Sequence, residues 1–429
     1  MSGRRSPDTP IQQTFQKFLT DKGKGDTGES GNYRRNTERE LDRFHSWALG
    51  KTADPANADP ATSWNGIVEA PPVTFADLDA TVFGDYARYL RGSGYSHSTI
   101  NTYYAYVASW CGWAHGQGYI SRHYARESDA EDPLPDSNNR RPGDQQAWDS
   151  TDRDLLTRFV DAEASAAIDT FGDIEVPYDE VEDPEGDLWN EKVRARFEAI
   201  KRCRDRALAY LLAYTGLRAA EFLRDPNDER PGRDGLRWRD VSLEDRSATV
   251  YRKNQQWKEA SLPEPVLGPL RRYKQLLDPP EEWPVFTTLH RPTLSSHVQS
   301  GLAERGLNED MVESVRSTWP DLLAGAEHEL DAPPGLTTDG ARRVLQRLTD
   351  AADIDVNDDR HDYLAPHGGR RGMGEVLVRE FGYAAAARYL DNSEEQVRQA
   401  YQHIEAAERA DMATEALSKT DQRVNQDSK

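Results

Sequence analysis

From Ala207 to Tyr214 the chain reads Ala-Leu-Ala-Tyr-Leu-Leu-Ala-Tyr, without a charged position. It closes a helical pattern that begins at Val193. A helix that is apolar all round has no face for solvent, so it must run through the interior with neighbours on every side. Thr215-Gly216 stops it, and a new helix is predicted from Leu217. A chain of 429 residues is long enough for two or three domains, each with its own core.

Periodicity divides the rest. Residues 10 to 48 read as helix, loop, helix: Ile11, Phe15, Phe18 and Leu19 form one stripe, and Leu41, Phe44, Trp47 and Ala48 another. Helical spacing resumes with Val82, Tyr86, Tyr89 and Leu90. It returns with Tyr104, Val107, Trp110 and Trp113, where Thr99 or Asn101 is the expected cap. These make an all-helical domain over 10–128. Residues 129–147, polar and rich in Pro and Asp, read as a linker. A second domain spans 148–410, and 411–429 form a helix end and polar tail. The convincing β pattern lies at Leu236-Arg-Trp-Arg-Asp-Val241, Ser247-Ala-Thr-Val-Tyr-Arg-Lys253 and Ala260-Ser-Leu-Pro263. Residues 286–335 look like a variable insertion, and helix is expected from Thr338 to about 417. The fold class is mainly α, with a helical N-terminal domain and an α+β domain carrying a small antiparallel sheet.

Composition narrows the setting. Cys111 and Cys203 are the only cysteines and form no CxxC pair, which argues against a disulfide framework or a cysteine zinc site and suits a reducing compartment. The polar N-terminus predicts no signal peptide, and no apolar run reaches the length of a membrane span. A cytoplasmic protein is expected. The net charge of −21 by itself favours an ordinary acidic protein that never touches nucleic acid. The cations are overwhelmingly arginine, however, while Asp and Glu fill the loops. That balance suits concentrated salt, as in a halophilic archaeon or its virus, where screening over a few Å removes repulsion between acidic faces and DNA.

A few side chains carry chemistry. Arg218 is expected in the first turn after Thr215-Gly216, where amides and dipole favour an anion. Glu221, three residues on, can orient it; the plain alternative is a surface ion pair. His367 and Arg370 share a face after Pro366, and two glycines between them would let a bulky ligand lie close. Nearby His361 has no partner at a convincing metal-ligand spacing. Lys253 ends a strand before the turn, with Lys258 across it as a rival. Tyr401 lies on a short helix announced by the capping box Ser393-x-x-Gln396, with Leu390, Val397, Ala400 and Ile404 as its buried side.

In order, Thr215-Gly-Leu-Arg-Ala-Ala-Glu221, Lys253, His367-Gly-Gly-Arg370, Leu390-Asp-Asn392 and Tyr401-Gln-His403 resemble the tyrosine recombinase (phage integrase) family, in its Xer-like form. The family patterns are T-G-L-R-x-x-E, a hairpin lysine, H-x-x-R, L-G-H and Y-x-H; Leu236-Arg-Trp-Arg-Asp240 also matches its L-x-W-x-D strand entry. The likeness covers about residues 200 to 405 and, more loosely, the N-terminal domain.

The resemblance implies a SAM-like core-binding domain and a catalytic domain gripping double-stranded DNA, and assembly of a tetramer on it. It implies a catalytic set of Arg218, Lys253, His367, Arg370, Asn392 and Tyr401, oriented by Glu221, with no metal and no cofactor. Arg34, Arg35, Arg140, Arg141 and Lys258 are the expected further DNA contacts. Asn392 stands where the family has His or Trp; it can donate a hydrogen bond but cannot shuttle a proton. That departure keeps a second class open, a non-catalytic DNA-binding relative retaining the clamp. Neither the target site nor any accessory protein is legible.

Overall fold

The computed structural model of the chain describes residues 6–23, 31–52, 71–136, 145–176, 187–228, 230–358, 360–404 and 414. The chain forms two compact units: residues 1–141 together with 227–230, and the remainder.

The first unit is helical: α1 (Phe15–Lys22), α2 (Asn32–Thr52), α3 (Ala80–Gly92), α4 (His97–Gly116) and the single turn α5 (Ser128–Glu131). Its core is aromatic. Phe44 stacks on Phe83 with centroids 5.5 Å apart, and Trp110 packs against Phe15 and Phe75. The buried Trp110 indole donates to Thr14 Oγ1 at 3.1 Å, so its polar tip keeps a partner. The cap of α4 is Ser96, whose side chain accepts from Thr99 N; Thr99 and Asn101 lie inside the helix. Ser96 wins because it is the hydroxyl three residues before a free helical amide.

In the second unit α6 (Ser150–Asp173), α7 (Asp187–Tyr214) and α8 (Ala219–Phe222) precede a sheet of β1 (Val241–Ser242), β2 (Ser247–Tyr251) and β3 (Trp257–Ser261). The sheet is antiparallel in the order β1-β2-β3, with Tyr251 opposite Trp257 at the hairpin end. Then come α9 (Glu264–Leu277), α10 (Arg291–Glu304), α11 (Glu309–Thr318), α12 (Asp321–Glu327), α13 (Thr338–Ala351), α14 (Pro366–Leu390) and α15 (Glu394–Ala400). Helix α7 is packed by α6, α9 and α14, as its all-round apolar stretch requires. Its Tyr210 reaches the surface and donates to Asp161 at 2.8 Å. Helices α10–α12 close over a small core of their own around Val298, Leu302, Val312, Ala324 and Leu330.

One expectation changes. The pattern at 236–241 reaches the sheet only at Val241, the first residue of β1; Trp238–Asp240 turn as a 3-10 helix, because Trp238 N and Arg239 N bond to Trp283 O and Glu281 O rather than to a strand. The helical stretch expected from 338 is α13, α14 and α15, with breaks ahead of Pro366 and at Ser393, and its expected continuation from 405 to 417 lies outside the described residues except for 414; α14 itself kinks at Gly382, where φ is +78°. Of the segment read as a linker, Pro135 O accepts from Asn101 Nδ2 at 2.9 Å within the first unit, Gln146 is buried in the second, and residues 137–144 lie outside the described residues. Among the described residues no helix is long and apolar enough to cross a membrane, and no group of three or more His, Cys, Asp or Glu side chains is placed to hold a metal ion.

Candidate active site

Thr215 ends α7 by folding its hydroxyl back onto Leu211 O at 2.6 Å, while the same oxygen accepts from Leu217 N. Gly216 follows at φ +65°, and a Cβ there would stand 2.8 Å from Leu390 Cδ2. The positive φ favours glycine, and any Cβ would also displace the Leu390 side chain. The helix expected from Leu217 is the four-residue α8, and Arg218 is its N-cap rather than a first-turn residue. Glu221 does hold it: Oε2 accepts from Arg218 N at 3.0 Å and Oε1 from the guanidinium at 2.9 Å. Glu221 is buried at 2 % exposure and also accepts from the Arg252 guanidinium at 2.9 Å. One buried carboxylate therefore fixes two arginines.

Arg370 is fixed differently. It lies in α14 at 6 % exposure and donates to Gly216 O at 2.6 Å and Leu390 O at 2.7 Å. One side chain thus ties the Thr215-Gly216 turn, the His367-x-x-Arg370 turn and the end of α14. Burial, with the Arg218 cation beside it, lowers its pKa to about 10. The glycines between His367 and Arg370 do not leave room for a ligand. A Cβ on Gly368 would meet Gln146 Oε1 at 2.5 Å, and one on Gly369 would meet Leu212 O at 2.4 Å. They let α14 settle against Gln146, Trp148 and α7.

His367 sits in the first turn of α14. Its pKa is lowered to about 4 by desolvation and by Arg371, Arg370 and Arg218. The residue keeps an edge open to solvent, and the three guanidiniums beside it add to the depression. The imidazole is neutral near pH 7 and able to accept a proton.

Tyr401 terminates α15, whose N-cap Ser393 accepts from Gln396 N at 3.2 Å. Leu390, Val397 and Ile404 are buried with it; Ala400, expected on that side, is exposed. The phenol lies over α14, where Gly374 makes the room: a Cβ there would stand 2.0 Å from Tyr401 Oη. Burial pushes the Tyr401 hydroxyl up to about 12, and the Arg370 cation works against that rise. Asn392 follows α14; its Oδ1 accepts from Ser393 N at 3.1 Å, leaving the amide nitrogen as its donor.

The hairpin separates the two lysines. Strand β2 ends at Tyr251, not at Lys253. Lys253 is exposed at the tip, with no ion pair or hydrogen-bond partner among the described residues. Lys258, on β3, is paired with Asp391 at 2.6 Å. Arg252 and Asp391 were missed in the sequence. The alternation that buries Ala248 and Val250 puts Arg252 on the same face, a signal that a buried guanidinium needs an anion. In the first unit Arg34 donates to Gln16 and Arg35 to Asn32 and Asn227. Neighbouring Arg43 covers the Tyr103 and Tyr95 rings at 4.8 and 5.2 Å. Arg140 and Arg141 lie outside the described residues.

No family model and no curated protein matches the chain. Among solved structures it is similar to the Tn1549 transposon integrase in complex with transposon right-end DNA, at TM-score 0.50 and 12% identity, over 95% of this chain and 100% of that one. The same integrase bound to a circular-intermediate DNA matches at TM-score 0.50 and 11% identity, over 94% of this chain and 99% of that one. A lambda integrase dimer bound to a COC' core site is more distant, at TM-score 0.48 and 10% identity, over 91% of this chain and 75% of that one. The two Tn1549 matches show the fold to be that of the Tn1549 integrase: mainly helical, with a small three-stranded sheet.

Proposed function

We propose that the protein is a site-specific DNA recombinase that cuts and rejoins duplex DNA through a 3′-phosphotyrosyl intermediate on Tyr401. The observation that carries this reading is Arg370. Its two carbonyl contacts bring Arg218, His367 and the turn leading to Tyr401 into one electrostatic neighbourhood. Two guanidiniums held from behind, by Glu221 and by backbone carbonyls, suit the non-bridging oxygens of a phosphate as charge builds in the transition state.

In the step itself the Tyr401 oxygen attacks phosphorus and the bond to the 5′ oxygen breaks. His367 takes the phenol proton, and Lys253 supplies a proton to the leaving oxygen. We assign that proton to Lys253 because Lys258 is engaged by Asp391. Asn392 donates its amide to the phosphate. The ester energy is kept in the phosphotyrosine, so religation reverses the same transfers without metal or nucleotide. The helical unit, with Arg34 and Arg35, would hold the other side of the duplex, joined by Arg140 and Arg141, and four protomers would assemble on two duplexes in the cytoplasm. Concentrated salt would let a chain of charge −21 approach DNA.

The non-catalytic alternative draws on Asn392, and one experiment decides. The purified protein selects its site from random duplex DNA, and a nicked copy of that site is incubated with it. Wild type is expected to yield an SDS-resistant protein–DNA adduct, and Tyr401→Phe to bind equally and yield none. Binding without any wild-type adduct would establish the alternative; an adduct that persists in Tyr401→Phe would place the nucleophile elsewhere.

A further inference from the structure

The turn between α14 and α15 holds an aspartate in a conformation that suits glycine. Asp391 has φ +48°. Aspartate tolerates this region better than most side chains, but glycine would occupy it without strain. What glycine would lack is the carboxylate. Oδ1 accepts from Lys258 Nζ at 2.6 Å, and Oδ2 lies 4.0 Å from Arg252 Nε. Desolvation would raise its pKa, but the hydrogen bond and charge of Lys258, with Arg252 and Arg218 beyond, hold the carboxyl below the usual range.

Lys258 lies on β3 and Arg252 directly follows β2, so Asp391 reaches both legs of the hairpin whose tip is Lys253. Arg252 continues the chain of contacts to Glu221, and Glu221 to Arg218. The turn that leads into the helix of Tyr401 is thereby linked to the hairpin and to the floor of the site. The Lys258 side chain is 38% exposed, and an ion pair so open to water stabilises a fold little. What the pair adds is a direct link between this turn and β3.

We propose that Asp391 is a positioning residue: through Lys258 and Arg252 it holds both legs of the β2–β3 hairpin, so that Lys253 reaches the leaving 5′ oxygen in step with attack by Tyr401. The inference rests on the strand-transfer reading above.

The test compares two nicked duplexes carrying the selected site. One has the ordinary 5′-bridging oxygen, the other a 5′-bridging sulfur. A thiolate leaves without a proton, so the sulfur substrate bypasses Lys253 but still needs the arginines and Tyr401. Asp391→Asn keeps the size and the tolerance of positive φ while removing the charge. It is expected to slow adduct formation on the oxygen substrate by about 10²-fold, the scale of a misplaced general acid. On sulfur its rate should be little changed, as should DNA affinity and melting temperature. Lys253→Ala and Lys258→Met should show the same pattern, and joining Lys258→Met to Asp391→Asn should add no further loss. Asp391→Gly, which favours the backbone, provides the same comparison if the asparagine variant folds poorly. Equal losses on the two substrates, or none on oxygen, would overturn the inference while wild-type adduct left the recombinase reading standing. No wild-type adduct on either substrate would overturn both.

Discussion

The floor of the site and its hairpin rim solve the placing of cations in opposite ways. On the floor, Arg218, Arg252 and Arg370 are held by a buried carboxylate and by two backbone carbonyls. Their donors are fixed before any substrate arrives, which is the condition for electrostatic stabilisation without reorganisation. On the rim, Lys253, Asn254, Gln255 and Gln256 are all exposed, and Gln255 takes φ +65° to close the turn. The rim is anchored only below its tip. Trp257 and Tyr251 close over Gly232, where a Cβ would stand 2.5 Å from the indole, and Lys258 is held by Asp391. The floor gets its geometry from burial and the tip from its tethers, so the same loss of charge should have different consequences in the two places.

The largest effect after loss of the nucleophile should come from the floor. Removing one preorganised contact to a developing oxyanion costs roughly 2.7–4 kcal/mol, about 10²–10³ in rate. Arg218→Ala and Arg370→Ala should both lose that much adduct formation, yet they should separate in stability. Arg370→Ala leaves two buried carbonyls without donors, a cost of about 1–3 kcal/mol for each. Arg218→Ala leaves Glu221 still paired with Arg252 and should cost about 1 kcal/mol. Urea titration of both variants measures the difference; equal losses of stability would mean that the two arginines are not held in the different ways described.

The rim variant should reverse that balance. Lys253→Ala is expected to slow adduct formation by about 10²-fold, within the range of general-acid catalysis. Its melting temperature should match wild type, because an exposed side chain without partners adds little to the fold. A fall in melting temperature comparable with that of Arg370→Ala would place the lysine on the floor and erase the contrast.

How much of this was legible in the sequence follows the same division. Helix α7 could be read because its burial is written in its own residues, and Ser393 could be read as a cap for the same reason. The pairing of Arg218 with Glu221 is likewise local. The site's other contacts are not. Gly368 and Gly369 read as space for a ligand because the residues that fill that space, Gln146, Trp148 and Leu212, are all distant in sequence. The stretch Leu236–Val241 alternates like a strand, but its backbone bonds run to Glu281, Trp283 and Val285, and of its residues only Val241 joins the sheet. Attention to Asn392 passed over Asp391, whose role depends on a hairpin distant in sequence. Arg252 was within reach, since extending the alternation of β2 by one step turns it inward.

The smallest effect concerns His367, which lies between floor and rim: on the first turn of α14, exposed, and crowded by three guanidiniums. Its pKa is about 4 in the folded protein against an ordinary 6.5. Between these values the unfolded chain binds a proton that the folded chain does not. Stability must therefore fall as pH falls through this window, and the slope must vanish below it, when both states are protonated. His367→Gln removes this one titration. The unfolding free energy of wild type relative to the variant should decline from pH 7 to about pH 4 and level off on either side. The edge of the residue open to solvent keeps the change modest. Urea titrations at matched pH measure it, and carboxylates common to both proteins cancel in the difference. Parallel curves would mean that the imidazole titrates normally and that the guanidiniums do not crowd it. The same crowding gives the reading its chemical sense. An anionic phosphate among Arg218, Arg370 and His367 offsets the cations that depress the imidazole, so binding DNA should raise the histidine toward the range in which a base accepts a tyrosine proton effectively.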